Sequence, residues 1–453
     1  MATLGTSRVG DRIMSRVARL LVRVFFRRID IEGASRLPAG RPLVLVANHV
    51  NGLVDGLVLM AMLPRYPRFL GKSTLFKIVP LAPFLHLAGV VPVHRAKDAT
   101  DASGGRGQDR NDAAFRTSRA LLAERGLVAL FPEGISHDEA RLQPLRTGAA
   151  RIALGAAFDD GVPDLATVAV GLIYDDKARF RSQALVRIGA AEDVEPWSER
   201  YGRDPATTVR AFTEHLGAQL SEVVPMYASR QDELAFRRLA CLLATDPAER
   251  DDIARGIAAA AARPETADRV AELTEAAHRY EADLAAIGLR DADVAGGLTP
   301  DRYRRRLRGR VAAAVVTAPL AAVGAALHLL PYQVMRRIGA RPANEGMRAT
   351  VKLLGCTVLF SALYCALAVV AGRRRGPLAA LAAFAAGPLT GYVTVRWAER
   401  VHQLDGIARA RAVVAQRADL VPELTERRRA LVAATTEIVS RPGSPSLPAA
   451  AGR

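Results

Sequence analysis

Residues 42–55 read PLVLVANHVNGLVD and combine a strand with the beginning of a candidate site. The apolar, branched run at 42–48 predicts a buried strand. His49 follows at the C-terminal end of that strand, which is the edge where α/β sheets bind ligands. Asp55 comes six positions after His49, and an Asn-Gly turn signal lies between the two residues. We therefore expect Asp55 to fold back towards the His49 ring.

The pair His49 and Asp55 suits general-base chemistry. A carboxylate that accepts a hydrogen bond from one imidazole nitrogen fixes the tautomer and stabilises the imidazolium, so the other nitrogen can remove a proton from a hydroxyl. A single histidine at a strand end is also commonly structural, and the spacing by itself does not decide between these two interpretations.

Strand-like and helix-like stretches alternate through the first half of the chain. The predicted strands are 42–48, 90–95, 127–134, 167–174 and 184–189, and the predicted helices include 112–125 and 147–158. The polar segment 98–111 is predicted to be a loop. This order predicts an α/β catalytic domain over residues 30–203, with a mixed sheet flanked by helices.

The segment 1–29 contains a predicted basic amphipathic helix over residues 12–28. Its apolar side chains share one stripe and its arginines lie on the other side. The stripe contains Ile13, Met14, Val17, Leu20, Leu21, Val24 and Phe25. Such a helix suits the surface of an anionic bilayer, although the same pattern also fits a helix packed on its own domain.

The second half of the chain is predicted to be helical and partly embedded in a membrane. The predicted segments are a helical domain (204–304), a hydrophobic membrane region (305–396), and a helical C-terminal segment with a disordered tail (397–453). Apolar runs at 311–330 and 353–372 have the ~20 residues that a bilayer crossing needs. The run at 377–395 is shorter, and its crossing is left open.

Two crossings over those runs have a consequence for the basic residues. The arginine-rich segment 302–310 and the arginines at 373–375 would lie in the cytoplasm, in agreement with the positive-inside rule. The same arrangement places the basic residues between 336 and 352 outside, which conflicts with that rule. Re-entrant or interfacial helices would remove the conflict. We expect the first two runs to cross.

The composition excludes several classes of protein. The chain has 453 residues, a net charge of +17 and 50% hydrophobic residues, which excludes wholesale disorder. Aromatic residues make up only 5%, and no nucleic-acid-binding motif is found, so the charge favours anionic lipid or phosphate over nucleic acid. The three cysteines are Cys241, Cys356 and Cys365. Chemistry in the first half therefore uses no thiolate, and no metal site is predicted.

The sequence FPEGIS follows the strand-like residues that begin at 127. The Glu133 carboxylate suits hydrogen bonds to the hydroxyls of a polyol, and the backbone N–H groups around Gly134 suit a phosphate. A tight turn with a surface glutamate is the simpler interpretation of the same residues.

Three basic residues are candidate contacts for a phosphate. Arg95 ends the predicted strand 90–95, and Lys72 and Arg146 flank other segments of the same domain. An arginine can bind a phosphate through two parallel hydrogen bonds. Taken singly, each of the three also fits a solvated surface position.

Together these blocks resemble a family. The order NH-x(5)-D, GVVPVHR, FPEGIS and VAVGLIY is similar to the four blocks of the glycerolipid acyltransferases, which acylate glycerol-3-phosphate or lysophosphatidic acid. The resemblance covers about residues 30–195. Asn51, the longer His-to-Asp spacing and the pair Arg181-Ser182 resemble the yeast-type glycerol-3-phosphate/dihydroxyacetone-phosphate subgroup. Val50 and Ala169 stand where that subgroup often has proline, and Arg146 stands where it often has lysine.

The resemblance implies transfer of a fatty acyl group from a thioester to a hydroxyl without a covalent enzyme intermediate. It implies that His49 is the base, that Asp55 orients it, that Arg95 holds the acceptor phosphate with Lys72 and Arg146 as weaker candidates, and that Glu133 and Gly134 bind the glycerol moiety. The implied acceptor is glycerol-3-phosphate or dihydroxyacetone phosphate, with lysophosphatidic acid as the alternative. A non-catalytic lipid-binding membrane protein is the alternative from another class.

The remaining expectations concern partners and location. No cofactor is expected, because the acyl donor, acyl-CoA or acyl carrier protein, is itself a substrate. Membrane lipids are expected partners, and nucleic acid is not. The expected location is the cytoplasmic membrane of a bacterium, with the catalytic domain facing the cytoplasm. The oligomeric state is left open.

Overall fold

A computed structural model describes residues 8–78, 81–93, 104–177, 179–296, 300–339, 341, 345–417 and 419–440. The chain divides into two compact units. The first unit is residues 1–228 together with 339–354, and the second is residues 229–338 together with 355–453.

The first unit is built on a seven-stranded mixed sheet. Its strands are β1 (Arg28–Glu32), β2 (Leu43–Ala47), β3 (Arg68–Lys72), β4 (Val91–Val93), β5 (Leu127–Leu130), β6 (Ala166–Tyr174) and β7 (Gln183–Asp193). The strand order is β1-β7-β6-β2-β5-β3-β4. Strands β6, β2, β5, β3 and β4 run in the same direction, so their C-terminal ends meet at one edge of the sheet. Strand β7 is antiparallel to β6 and carries β1 alongside it.

The predicted mixed α/β architecture is confirmed, and two strands are added to it. Strands β1 and β3 were not predicted, because their sequences RIDIE and RFLGK place charges within the short apolar pattern. Strand β5 ends at Leu130, so the FPEGIS residues form a loop beyond the sheet edge instead of continuing the strand.

Helices cover both faces of the sheet. The helices of this unit are α1 (Arg8–Phe25), α2 (Leu53–Met62), α3 (Ala82–Leu87), α4 (Gly104–Ala123), α5 (Gly148–Phe158), α6 (Glu195–Arg203) and α7 (Pro205–Val223). Alternate side chains of β2 enter two cores, one shared with α1 and α2 and the other with α4, α5 and α7. Burial on both faces is what a central parallel strand requires.

Helix α1 is an integral part of this unit, which moves the predicted boundary at residue 29. Met14, Ala18, Val22 and Phe25 are buried in the core beneath the sheet. Burying an apolar side chain stabilises a fold by about 1.5–3 kcal/mol, so α1 contributes to folding. The apolar residues of α1, which were predicted to form a single stripe, in fact form two faces, of which the first is buried. The second, which stays exposed, contains Val9, Ile13, Val17, Leu20 and Val24.

The predicted boundary between residues 203 and 204 separates two helices that belong together. Helix α7 begins at Pro205, immediately after α6, and buries Phe212, Leu216 and Leu220 in the core on the α5 side of the sheet. The α/β unit therefore continues to residue 228.

The second unit is helical. Its elements are α8 (Arg230–Leu243), α9 (Pro247–Ala261), α10 (Pro264–Ala286), α11 (Asp291–Ala295), α12 (Pro300–Ile338), α13 (Glu345–Arg375), α14 (Pro377–Gln416) and α15 (Leu420–Ser440), with the first residues of α13 belonging to the other unit. Among the residues that the structure describes, three stretches are long and apolar enough to cross a membrane, namely Gly309–Ile338, Thr350–Arg375 and Pro377–Gly406. The third stretch, which was left open by the sequence, is therefore as long as the others.

The first residues of α13 pack on the α/β unit. The backbone N–H of Leu53 donates to Thr350 Oγ1 at 3.1 Å, and Leu353 is buried in the core with α2. A segment that contacts the α/β unit lies on the same side of a membrane as that unit. The expected pair of crossings, which places the basic residues before Leu353 on the opposite side from the catalytic domain, does not agree with this packing.

Candidate active site

His49 is held at the C-terminal end of β2 by the residue before it. The Asn48 side-chain amide donates to the Leu172 carbonyl at 3.0 Å, and its oxygen accepts from the Leu172 N–H at 2.7 Å. Asn48 is buried, and this two-way contact joins the end of β2 to β6. The backbone of His49 therefore starts from a fixed position at the sheet edge.

The structure brings His49 and Asp55 together. Gly52 has a φ of 56°, which favours glycine, and it turns the chain into α2. Asp55 lies in the first turn of α2 and is fully buried. Its Oδ2 is 2.9 Å from His49 Nδ1 and accepts from the Asn51 N–H at 2.7 Å. A carboxylate accepts only, so Nδ1 carries the proton and the Nε2 lone pair is available as a base.

Tyr174 is a third member of this group that the sequence did not single out. Its hydroxyl donates to Asp55 Oδ1 at 2.6 Å. Burial, followed by the nearby Asp55 charge, raises the pKa of the Tyr174 phenol well above its usual value. The phenol therefore stays protonated and keeps donating. Three donors on one buried carboxylate offset the cost of removing its charge from water.

Glu133 is placed differently from its predicted role. Its side chain is fully buried, and Oε1 accepts from the His49 backbone N–H at 2.8 Å. Oε2 accepts from the Gln143 N–H at 2.8 Å and contacts His137 Nε2. The Glu139 N–H donates to His137 Nδ1, so Nε2 carries the His137 proton and donates to Glu133. The carboxylate that was predicted to bind glycerol thus holds the backbone of His49.

Further contacts join the same two loops. The His137 N–H donates to the His49 carbonyl at 3.2 Å, and Ser136 Oγ accepts from the Gly52 N–H at 3.1 Å. The Phe131 ring stacks on the His49 imidazole, with 4.2 Å between the ring centroids. His137 was not predicted from the sequence, because Glu133 and His137 lie in a loop, where a spacing of four residues does not indicate a contact.

Gly134 and Arg146 are adjacent at the same edge of the sheet. Gly134 has a φ of 71°, and a Cβ at this position would lie 2.4 Å from Arg146 Nε. The guanidinium of Arg146 therefore lies directly over the glycine. Arg146 is exposed, and its side chain makes no hydrogen bond or ion pair with the described residues. It is thus available to an anion beside Gly134.

The two other predicted phosphate contacts have different outcomes. Lys72 is the last residue of β3 and is half-buried at the edge that carries His49. Arg95 lies outside the described residues. Within the described residues, no group of three or more His, Cys, Asp and Glu side chains could hold a metal ion.

An imidazole whose Nδ1 faces a buried carboxylate can serve in base-assisted group transfer, and the exposed guanidinium over Gly134 can bind a phosphate. Residues 28–170 match the Acyltransferase family model. These residues therefore form an Acyltransferase domain, and the match supports the resemblance to the glycerolipid acyltransferases seen in the sequence.

Two curated relatives of this chain are named as acyltransferases. Glycerol-3-phosphate O-acyltransferase 2 of Saccharomyces cerevisiae is 25% identical over 322 residues, which cover 49% of this chain and 43% of that protein. The 1-acyl-sn-glycerol-3-phosphate acyltransferase beta of Homo sapiens is 25% identical over 169 residues, covering 37% of this chain and 56% of that protein. The chain therefore spans about half the length of these curated relatives. The solved structure of the 1-acyl-sn-glycerophosphate acyltransferase PlsC from Thermotoga maritima covers 47% of this chain and 80% of that chain, at 16% identity and a TM-score of 0.31.

Proposed function

We propose that this acyltransferase moves a fatty acyl group from an acyl thioester to the hydroxyl of glycerol-3-phosphate or dihydroxyacetone phosphate. The observation that carries the proposal is the 2.9 Å contact between His49 Nδ1 and the buried Asp55 carboxylate, which leaves Nε2 as a base. The yeast relative is named as a glycerol-3-phosphate O-acyltransferase, and this name and the subgroup-like spacing of His49 and Asp55 support this acceptor class.

The proposed reaction is a direct transfer of the acyl group from the thioester to the hydroxyl. His49 Nε2 takes the proton of the acceptor hydroxyl as its oxygen attacks the thioester carbonyl. The tetrahedral intermediate collapses, the C–S bond breaks, and the imidazolium returns the proton to the leaving thiolate. Asp55 stabilises the imidazolium that exists between these two proton transfers. Arg146 holds the acceptor phosphate, with Arg95 and Lys72 as further candidates.

A second candidate acceptor is 1-acylglycerol-3-phosphate, which is favoured by the name of the human relative. Both acceptors carry a phosphate, so Arg146 suits either. The two are distinguished by measuring release of free thiol from acyl-CoA by the purified protein in detergent, with each acceptor in turn. We expect glycerol-3-phosphate or dihydroxyacetone phosphate to give the higher kcat/KM. A higher value with 1-acylglycerol-3-phosphate would assign the second candidate, and no transfer to any acceptor would support a non-catalytic lipid-binding protein.

The location that fits these features is the cytoplasmic membrane, with the α/β unit on the cytoplasmic side. The three apolar stretches suit a bilayer by length and composition. The exposed apolar face of α1 lies beside the exposed arginines at 12, 16, 19 and 23, an arrangement that suits an interface with anionic lipid. A site at that interface meets both a water-soluble acceptor and long acyl chains.

A further inference from the structure

A second concave site lies in the α/β unit, apart from the His49 group. It is a cavity of about 690 Å3 between α4, α5 and the beginning of α7. Its lining includes four arginines and two aromatic rings: Arg116, Arg119, Arg151, Arg210, Phe115 and Tyr201. Asp112 lines it as well. No role in the reaction proposed above requires any of these residues.

The arginines of this cavity are not equivalent. Arg119 is held by protein carboxylates, with contacts of 2.8 Å to Asp159 and 2.5 Å to Asp160. The other three are exposed and make no side-chain hydrogen bond or ion pair with residues that the structure describes. Like charges gathered in one concavity repel one another. Three such guanidinium groups therefore form a site for a ligand with several negative charges.

The aromatic rings give the cavity a surface for stacking. Phe115 and Tyr201 are half-buried, and the edge of the Tyr201 ring meets Phe158 at a centroid distance of 5.6 Å. A ring fixed in this way is a surface on which a planar base can stack. Arginines stack on such bases as well. The volume lies within the ~300–1,000 Å3 range of small-molecule sites.

The cavity also adjoins the first site along the chain. Thr147 belongs to its lining and directly follows Arg146, whose guanidinium lies over Gly134. Arg151 is one turn further along α5. A long, flexible ligand that reacts at His49 can therefore extend along α5 towards the arginines.

We propose that this cavity binds the phosphorylated adenosine end of coenzyme A, so that the acyl donor is acyl-CoA. Coenzyme A carries a pyrophosphate and a 3′-phosphate, which match three available guanidinium groups, and an adenine, which matches the aromatic rings. The inference rests on the proposed function only in taking the ligand to be a donor substrate. Binding of the nucleotide end does not require acyl transfer, so the two claims can fail separately.

Calorimetric titration of the full-length protein in detergent tests the inference, with coenzyme A and adenosine 3′,5′-bisphosphate as ligands. The variants are Arg116→Ala, Arg151→Ala and Arg210→Ala, and the matched control is Arg203→Ala, an exposed arginine on neighbouring α6. We expect both ligands to bind the wild type. Each cavity variant should weaken binding about tenfold, and the control should not change it. Dephospho-coenzyme A should bind more weakly than coenzyme A, because it lacks the 3′-phosphate.

The outcomes separate the two claims. Arginine-dependent binding of coenzyme A without acyl transfer would support this site and contradict the proposed function. Acyl transfer with coenzyme A affinities unchanged in all three variants would leave the function intact and overturn this site. A wild type that binds neither nucleotide ligand, and uses only acyl carrier protein as donor, would overturn it too. Because the substituted residues are exposed, equal thermal denaturation midpoints are expected and show that the variants are folded.

Discussion

The backbone N–H of His49 donates to the side chain of Glu133 at 2.8 Å. This bond joins the loop after β2 to the loop after β5, so the two sequence blocks that mark the family form one structure. The glutamate of the FPEGIS block therefore acts on the base through its backbone. An acidic residue is tolerated at this buried position because protein donors satisfy both of its oxygens.

Replacing Glu133 by glutamine separates this role from glycerol binding. Glu133→Gln keeps the size of the side chain, but its amide N–H₂ would face a donor at either His49 or Gln143. We expect kcat to fall about tenfold to hundredfold, with little change in the KM of the acceptor, because a base displaced by about 1 Å loses that much activity. Steady-state rates with varied acceptor measure both constants.

The matched control for this change is Glu139→Gln, an exposed glutamate in the same loop, which should behave as the wild type. If Glu133→Gln instead raised the acceptor KM and left kcat unchanged, the glycerol-binding role predicted from the sequence would be correct and the positioning role would not.

Tyr174 predicts a dependence of stability on alkaline pH. The pKa of its phenol is raised in the folded state by burial and then by Asp55, whereas the unfolded phenol ionises near pH ~10. Below pH ~10 both states hold the proton and the stabilisation is complete. Above it the unfolded state releases the proton first, so the free energy of unfolding falls as pH rises. Tyr174→Phe should flatten this decline. Chemical denaturation at pH values from about 8 to about 11 measures it.

An equally steep decline in the phenylalanine variant would show that Tyr174 does not carry a raised pKa. Activity at neutral pH gives a second readout, since the variant keeps the contact between His49 and Asp55 and should lose less activity than a variant that removes either of them.

Replacing Arg146 is expected to change the KM of the acceptor and to have much less effect on the KM of the acyl donor. Its guanidinium is available beside Gly134. A charge-assisted hydrogen bond is worth ~1.5–3 kcal/mol, so Arg146→Ala should raise the KM of the phosphorylated acceptor about tenfold to hundredfold and change the KM of acyl-CoA much less. Arg203→Ala serves as the control. If Arg146→Ala left the acceptor KM unchanged while Arg95→Ala raised it, the phosphate would be held by Arg95 and not by Arg146.

The packing of α13 on the α/β unit predicts the side of the membrane on which residue 341 lies. Arg341 is exposed and belongs to the segment 339–354 of that unit. In a background with Cys241, Cys356 and Cys365 replaced by serine, Arg341→Cys should react with a membrane-impermeant thiol reagent only after cell lysis. Arg203→Cys, on the α/β unit itself, is the reference. Labelling at 341 in intact cells, with 203 protected, would support the two crossings expected from the sequence.

The sequence predicted the local part of the site and not its long-range part. His49 and Asp55 are six residues apart and separated by an Asn-Gly turn, so one local pattern indicates their contact. The contact between His49 and Glu133 joins residues 84 positions apart and needs β2 and β5 to be neighbours, which no local pattern reveals. Tyr174 depends in the same way on β6 lying beside β2.

Parts of the fold were not predicted for a similar reason, namely that they depend on contacts between distant elements. In β3, Arg68 is buried but paired with Asp11 of α1 at 2.7 Å, and in β1, Glu32 pairs with Arg187. Charges whose partners lie on another element look like surface residues in the sequence, so both strands were missed. The apolar residues of α1 fill two faces, and a helical projection alone cannot tell which of them meets the core.

The central claim is that His49 Nε2 is the base for acyl transfer. The most direct measurement compares thiol release from acyl-CoA by wild type and His49→Ala in detergent, at saturating glycerol-3-phosphate or dihydroxyacetone phosphate. Loss of a general base costs ~10²–10⁴-fold, and we expect a decrease in that range with an unchanged thermal denaturation midpoint, because His49 is partly exposed and outside the core. A folded His49→Ala protein with activity within a few-fold of the wild type would contradict the account.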